Sequence, residues 1–188
     1  SFDWKKIVAI GAIIIFCSPN QGEAQAIRQR VLPGIDVLMG DSDLISNQRV
    51  GLITNPTGIS RNGQSTIDVL FNHPQINLVA LFGPEHGVRG DAPAGAYVPS
   101  YKDARTNLPV YSLYGQTRKP TADMLEQVDV LLFDMQDVGI RPYTYISTMA
   151  YAMQSAATYD IPFIVLDRPN PLGGELVEGP MLEEQFSS

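Results

Sequence analysis

The sequence predicts an α/β domain with a Rossmann-like, open and mostly parallel sheet that has helices on both faces. Three observations carry that expectation. Short runs dense in apolar and β-branched residues recur along the chain, as strands buried on both faces require. Segments with apolar residues three and four apart lie between them, the spacing of one helix face. Each apolar run closes in a polar loop bearing Gly or Pro, so strand and helix alternate as crossover connections demand.

The elements follow in chain order. Residues 1–26 are read as a secretory signal peptide. Lys5 and Lys6 precede an apolar run from Ile7 to Cys17, and Ala24-Gln25-Ala26 offers the small-x-small pattern of a cleavage site. That run is shorter than the roughly 20 residues needed to span a bilayer. Phe16 stands before Cys17 where a lipid-anchor motif wants a small residue, which disfavours a lipoprotein. Residues 27–188 are read as one domain. Its expected strands are Val50–Thr54, Asn77–Phe82, Val128–Asp134 and Pro162–Asp167. The expected helices carry Ile67, Leu70 and Phe71, then Met124, Leu125 and Val128, then Ile146, Met149, Ala150 and Met153.

Composition narrows the function. The chain has 188 residues, 44% hydrophobic and 18% charged, which suits a folded domain and argues against disorder or coiled coil. Its formal charge of −7, without a basic run, offers nothing to grip a nucleic-acid backbone or an anionic lipid surface. The single cysteine, Cys17, falls in the leader, so an exported domain would rest on its core alone. No phosphate-binding glycine loop, dinucleotide fingerprint, nucleophile elbow, HExxH or cysteine pair is present. Nucleotide, serine-hydrolase and zinc chemistries lose support, and no cofactor is expected.

In open parallel sheets, ligands bind outside the carboxyl ends of the strands, where the connections diverge. Those ends read Asn55-Pro-Thr-Gly58, Gly83-Pro-Glu-His-Gly-Val-Arg-Gly90, Met135-Gln-Asp-Val-Gly-Ile-Arg-Pro-Tyr143 and Arg168-Pro-Asn-Pro-Leu-Gly-Gly174. Glu85, in a loop tightened by Gly83, Pro84 and Gly87, is a candidate general acid; capping a helix or pairing with Arg89 is the other use of its carboxylate. His86 would orient Glu85 or bond substrate, whereas His73, before Pro74, reads as a surface helix end. Asp134 and Asp167 each end an apolar run, where a carboxylate is costly unless paired, solvated or used. They either serve catalysis or bridge to Arg141 or Arg168, whose planar forks match a carboxylate. Gln136 and Asp137 supply groups suited to sugar hydroxyls, and Tyr143 and Tyr145 either stack on a sugar ring or pack. A hard cation on Asp134, Asp137 and Asp167 is a further alternative.

The segments GLITNPTG at 51–58, FGPEHGVRGD at 82–91, FDMQDVGIRPYTY at 133–145 and DRPNPLGG at 167–174 together resemble the bacterial exo-β-N-acetylmuramidase family. The resemblance covers about residues 32–188. It implies an exported glycoside hydrolase, periplasmic or extracellular, that releases N-acetylmuramic acid from the non-reducing ends of peptidoglycan fragments. Residues 27–188 would be its Rossmann-like N-terminal domain, without the family's C-terminal domain. The implied catalytic set is Glu85 with His86, Asp134 and Asp167. The implied substrate-binding set is Asn55, Arg89, Gln136, Arg141, Tyr143, Arg168 and Asn170, with peptidoglycan fragments as partners and no metal. A periplasmic module that binds such fragments without cleaving them, and a metal-dependent hydrolase, are the competing expectations.

Overall fold

The computed structural model describes residues 7–10, 31–90, 100–115 and 117–186. Seven strands form one sheet: β1 (Ile7–Ile10), β2 (Arg49–Thr54), β3 (Asn77–Gly83), β4 (Tyr101–Lys102), β5 (Pro109–Ser112), β6 (Val130–Asp134) and β7 (Phe163–Leu166), in the order β1-β7-β6-β2-β3-β5-β4. Every neighbouring pair is parallel except β4 with β5. The signal-peptide expectation falls mostly outside the described residues; of that segment only Ile7–Ile10 is described, as strand β1.

Among the described residues four α-helices cover the sheet: α1 (Gly34–Gly40), α2 (Thr66–Phe71), α3 (Ala122–Leu125) and α4 (Tyr145–Thr158). The strand side chains alternate between two cores, as a period of two requires. Val50 and Leu52 of β2 and Val130 and Leu132 of β6 pack with Ile35 and Leu38 of α1 and Ile67 and Leu70 of α2. Ile53, Leu131 and Phe133 point the opposite way, against Leu125 of α3 and Ala152 and Ala156 of α4. Helices therefore lie on both faces, as the alternation predicted. Among the described residues, no helix is long and apolar enough to cross a membrane.

Differences from the sequence reading have local causes. Strand β6 opens at Val130 rather than Val128, because the Val128 amide donates to Leu125 O at 2.9 Å and closes the turn after α3. Helix α4 is rotated relative to the expected apolar face. Ile146 is 59% exposed and Ala150 is exposed, while Tyr145, Met149, Ala152 and Ala156 form the row that meets the sheet. Alanines in that row let the helix lie close to Phe133 and Phe163. The helix stops where Asp160 takes φ 59° and the Ile161 amide reaches back to Ala156 O at 2.8 Å, a Schellman ending before Pro162. Helix α1 and strands β4 and β5 were not anticipated, being short and, for β5, opened by a proline.

The topology locates the crevice. From β2 the chain moves outward through α2 to β3 and β5, then returns through α3 to place β6 on the other flank of β2. The connections after β2 and β6 thus leave toward opposite faces, and the gap between them is where an open α/β sheet accepts ligand. Arg49 and Asp129 fasten the far ends of the same two strands, Arg49 Nη2 lying 2.7 Å from Asp129 Oδ1.

Candidate active site

The four polar loops singled out in the sequence follow strands that are neighbours in the order β7-β6-β2-β3, so they do form one rim. The β2 loop is an Asx turn: Asn55 Oδ1 accepts from the Thr57 amide at 2.9 Å and from Thr57 Oγ1 at 2.5 Å. Thr57 Oγ1 in turn accepts from the Gln136 amide at 2.9 Å, joining the β2 and β6 loops across the crevice. Gln136 Nε2 donates to Asp137 O at 2.7 Å and to Pro169 O at 3.1 Å, which ties in the β7 loop. Gly58 makes this closeness possible, since a Cβ there would stand 2.1 Å from Thr54 Oγ1 and 2.9 Å from Asp134 O.

Beneath the rim lies a buried ion pair. Asp134 is fully buried, and Arg168 meets it with both arms of its fork, Nε at 2.5 Å from Oδ1 and Nη2 at 3.0 Å from Oδ2. Thr66 Oγ1 donates to Oδ2 at 2.5 Å, and Arg168 Nη2 also donates to Ile59 O at 2.7 Å. The paired alternative raised for Asp134 is therefore the observed one. That carboxylate is enclosed by three donors inside the protein, while Arg168, which holds it, also lines a cavity at the rim.

Arg89 is likewise engaged with carboxylates. Its Nε donates to Asp103 Oδ1 at 2.6 Å, and its Nη2 to Asp103 Oδ2 at 3.0 Å and Asp68 Oδ1 at 3.1 Å. Asp103, buried and also held by the Thr106 amide and hydroxyl, sits well below the usual carboxylate range, first because of the Arg89 hydrogen bond. Arg89 is raised in turn by its bonds to Asp103 and Asp68. The pair anchors the end of the Glu85 loop to α2 and to the chain after β4.

Its pH dependence has a definite sign. A carboxyl depressed in the fold contributes stability that is complete above its unfolded value, about pH 4, and is lost as pH falls through the folded value. The urea midpoint of the wild type is accordingly expected to fall more between pH 7 and pH 3 than that of Asp103→Asn. Equal falls in both would show that the pair does not contribute.

Glu85 and His86 follow β3 in a turn closed by the Gly87 amide donating to Pro84 O at 3.1 Å. His86 and Gly87 both have φ of 73°, a left-handed conformation that is costly for histidine and that turns the loop back over the strand end. Both Glu85 and His86 are half-buried. Tyr145, in the first turn of α4, is half-buried against the core and meets the Tyr143 ring. Burial pushes its phenol up, Tyr143 adds to this, the Asn55 bond opposes it, and the Glu85 carboxylate raises it further. Glu85 is therefore within electrostatic reach of Tyr145, across the end of β2.

A cavity of about 180 Å³ opens beside Tyr145, lined by Asp137, Asp167 and Arg168 with an apolar floor that includes Phe133, Met135 and Met149. Asp137 Oδ2 accepts from the Gly139 amide at 2.9 Å, and Asp167 Oδ1 accepts from the Arg168 amide at 2.9 Å. Each therefore keeps an oxygen for other use. Among the described residues no cluster of three or more His, Cys, Asp or Glu converges as a metal site; the trio Asp134, Asp137 and Asp167 is broken up by Arg168. A larger hollow of about 700 Å³ beside Lys119, Gln154 and Tyr159 carries no carboxylate.

The remaining candidates sit at the margin. Tyr143 is exposed and meets the Tyr145 ring edge-on, centroids 5.4 Å apart. Arg141 is exposed, donates from Nη2 to Pro180 O at 2.8 Å, and has no carboxylate partner among the described residues. Asn170 is exposed and accepts from the Leu172 amide at 2.9 Å, its Nδ2 lying where a Cβ on Gly139 would stand. Asn55 is only 4% exposed and braces the β2 turn from within. Sequence reasoning left Tyr145 undecided and missed Thr57, although the Asn-Pro-Thr-Gly turn was a signal for the latter.

The comparisons with known proteins agree with this architecture. The family described as "Exo-beta-N-acetylmuramidase NamZ, N-terminal" matches residues 50–188. The peptidoglycan beta-N-acetylmuramidase NamZ of Bacillus subtilis (strain 168) is 55% identical over 172 residues, covering 91% of this chain and 42% of that protein. Two crystal structures of DUF1343 family proteins from Bacteroides fragilis NCTC 9343 superpose on the fold. One has a TM-score of 0.76 at 54% identity, covering 86% of this chain and 40% of that one. The other has a TM-score of 0.70 at 34% identity, covering 85% and 40%. The chain thus spans less than half the length of each relative. The family match takes in all four rim loops, and the chain belongs to the family of exo-beta-N-acetylmuramidase NamZ N-terminal domains.

Proposed function

We propose that this domain carries the catalytic machinery of an exported glycoside hydrolase that releases N-acetylmuramic acid from the non-reducing ends of peptidoglycan fragments. The observation that carries the reading is the half-buried Glu85, held at the end of β3 in the turn bent by His86 and Gly87, within the rim loops that the family match includes. Glycoside hydrolysis generally needs one carboxylic acid to protonate the leaving oxygen and a second carboxylate as base or nucleophile. Glu85 is the acid in this reading. With Asp134 committed to Arg168, the second carboxylate comes from Asp137 or Asp167, which share the cavity wall.

His86 orients Glu85 from within the same turn. Gln136 and Asn170 hold the loops that frame the sugar, and Tyr143 offers it an exposed ring. The activity is tested by mass-spectrometric detection of N-acetylmuramic acid released from a muramyl-glucosaminyl disaccharide, using this chain and a C-terminally extended form, with and without EDTA. EDTA-resistant release by both forms supports the reading as stated. Release only by the longer form makes the site a shared one, and binding without release by either makes the domain a binding module.

The lactyl carboxylate of muramic acid calls for a cation, and two of the three arginines considered are already paired with aspartates. Arg141 is the remaining one. Arg141→Ala is expected to raise KM for the muramyl disaccharide by about tenfold, the loss of one charge-assisted hydrogen bond, with a smaller effect on a matched N-acetylglucosamine substrate. Equal losses on both substrates would remove Arg141 from that role.

A further inference from the structure

Of the two aspartates in the cavity wall, one is held more firmly than the other. Asp167 is exposed, and among the described residues its carboxylate accepts only from the amide of its neighbour Arg168. Asp137 is half-buried, and its surroundings fix it at several points. Its Oδ2 accepts from the Gly139 amide at 2.9 Å, and its carbonyl oxygen accepts from Gln136 Nε2 at 2.7 Å. Oδ1 is left for a ligand. The residue before it is fastened across the crevice: the Gln136 amide donates to Thr57 Oγ1 at 2.9 Å, while Thr57 Oγ1 gives its own proton to Asn55 Oδ1 at 2.5 Å. One hydroxyl thus carries the link from the buried Asn55 of the β2 loop to the β6 loop. Thr57 itself is exposed, so water can serve the groups that breaking this link would free.

We infer that Thr57 is a positioning residue: through the Gln136 amide it holds the β6 loop so that the Asp137 carboxylate stays in the cavity wall, and Asp137 is the second carboxylate of the hydrolysis. This rests on the muramidase reading and chooses between the two aspartates which that reading left open. A base or nucleophile acts from a near-attack geometry, and a displacement of about 1 Å can cost roughly a hundredfold in rate. Replacing Thr57 by Val keeps the branched shape but removes the acceptor for Gln136 and the donor to Asn55. The Asn55 turn persists, because the Thr57 amide still donates to Asn55 Oδ1. The loss therefore falls on kcat rather than on folding.

The test measures kcat, KM and thermal midpoint with the same muramyl disaccharide for Thr57→Val, Thr57→Ser, Asp137→Asn and the double variant Thr57→Val/Asp137→Asn, all in the C-terminally extended form. Thr57→Val is expected to lower kcat by about tenfold to a hundredfold, the cost of a misplaced reacting group. Its KM and thermal midpoint stay near wild type, and Thr57→Ser, which keeps the hydroxyl, restores most of the rate. Asp137→Asn lowers kcat at least as much, and adding Thr57→Val to it costs nothing more, because both changes act at one carboxylate. An unchanged kcat in Thr57→Val or in Asp137→Asn, a loss that Thr57→Ser fails to restore, or a loss that adds in full to that of Asp137→Asn would each overturn the inference. If Asp137→Asn releases no measurable sugar, the comparison of Thr57→Val with Thr57→Ser decides. Wild-type protein that releases no sugar would overturn the muramidase reading and this role with it, an outcome distinct from wild-type release with an indifferent Thr57→Val.

Discussion

Glu85→Gln is expected to lower N-acetylmuramic acid release by about 10²–10⁴-fold, the usual contribution of a positioned general acid. The substitution preserves the volume and hydrogen-bonding reach of the side chain but cannot deliver a proton to the leaving oxygen. The turn that carries it does not depend on the carboxylate. It is closed by a backbone bond from Gly87 to Pro84, bent by the left-handed His86 and Gly87, and anchored beyond them by Arg89 on Asp103 and Asp68. The thermal midpoint should consequently stay near wild type. An aryl glycoside with an acidic leaving group, which needs little protonation, should recover much of the lost rate, because the missing step is then no longer required. Wild-type turnover of the disaccharide by the variant would withdraw the assignment from Glu85.

The second large effect is on stability. Arg168→Ala is expected to destabilise the domain by about 3–5 kcal/mol, since removing one partner of a buried pair leaves the other charge uncompensated. Here the orphan would be Asp134, fully buried at the end of the central strand β6, with only Thr66 to serve its side chain. The Ile59 carbonyl would lose its donor as well. The double variant Asp134→Asn/Arg168→Met should recover part of the loss, because it removes the buried charge together with its partner. Urea denaturation of Arg168→Ala, of the singles Asp134→Asn and Arg168→Met and of the double variant checks this. If the double variant is as unstable as the sum of the singles, packing rather than charge is responsible.

Much of this fold was legible in the residues. The runs at 50–54, 77–82 and 163–166 are strands because they bury both faces, and that requirement writes itself into nearly continuous apolar sequence. The loops that follow them were equally visible, since Gly, Pro and Asn mark them by backbone chemistry. The short elements were not visible. Strand β5 has four residues and β4 two, too few to establish a period. The facing of α4 was misread because Ile146 was weighted by its hydrophobicity. The helix is placed instead by the small residues Ala152 and Ala156, which permit close approach to the sheet.

The candidate site divides along the same line. Its ingredients, a glutamate in a tight glycine loop and aspartates and arginines after strands, could be read directly. Their partners could not. Asp134 had Arg141 and Arg168 as equal suitors in sequence, and Arg89 was an available cation until Asp103 was found beside it. Tyr145 and Tyr143 were indistinguishable until one was seen packed against the core and the other exposed.

By itself, then, the sequence determined the alternation of strands and helices, the residues at the strand ends, and the family whose four loops it carries. The tertiary structure decided which of those residues are spent inside the protein and which are left to face a ligand. The physical reason is that periodicity and turn chemistry act over a few neighbouring residues. The pairing of Arg168 with Asp134, or of Gln136 with Thr57, instead depends on strand order, which brings the ends of β7, β6, β2 and β3 side by side.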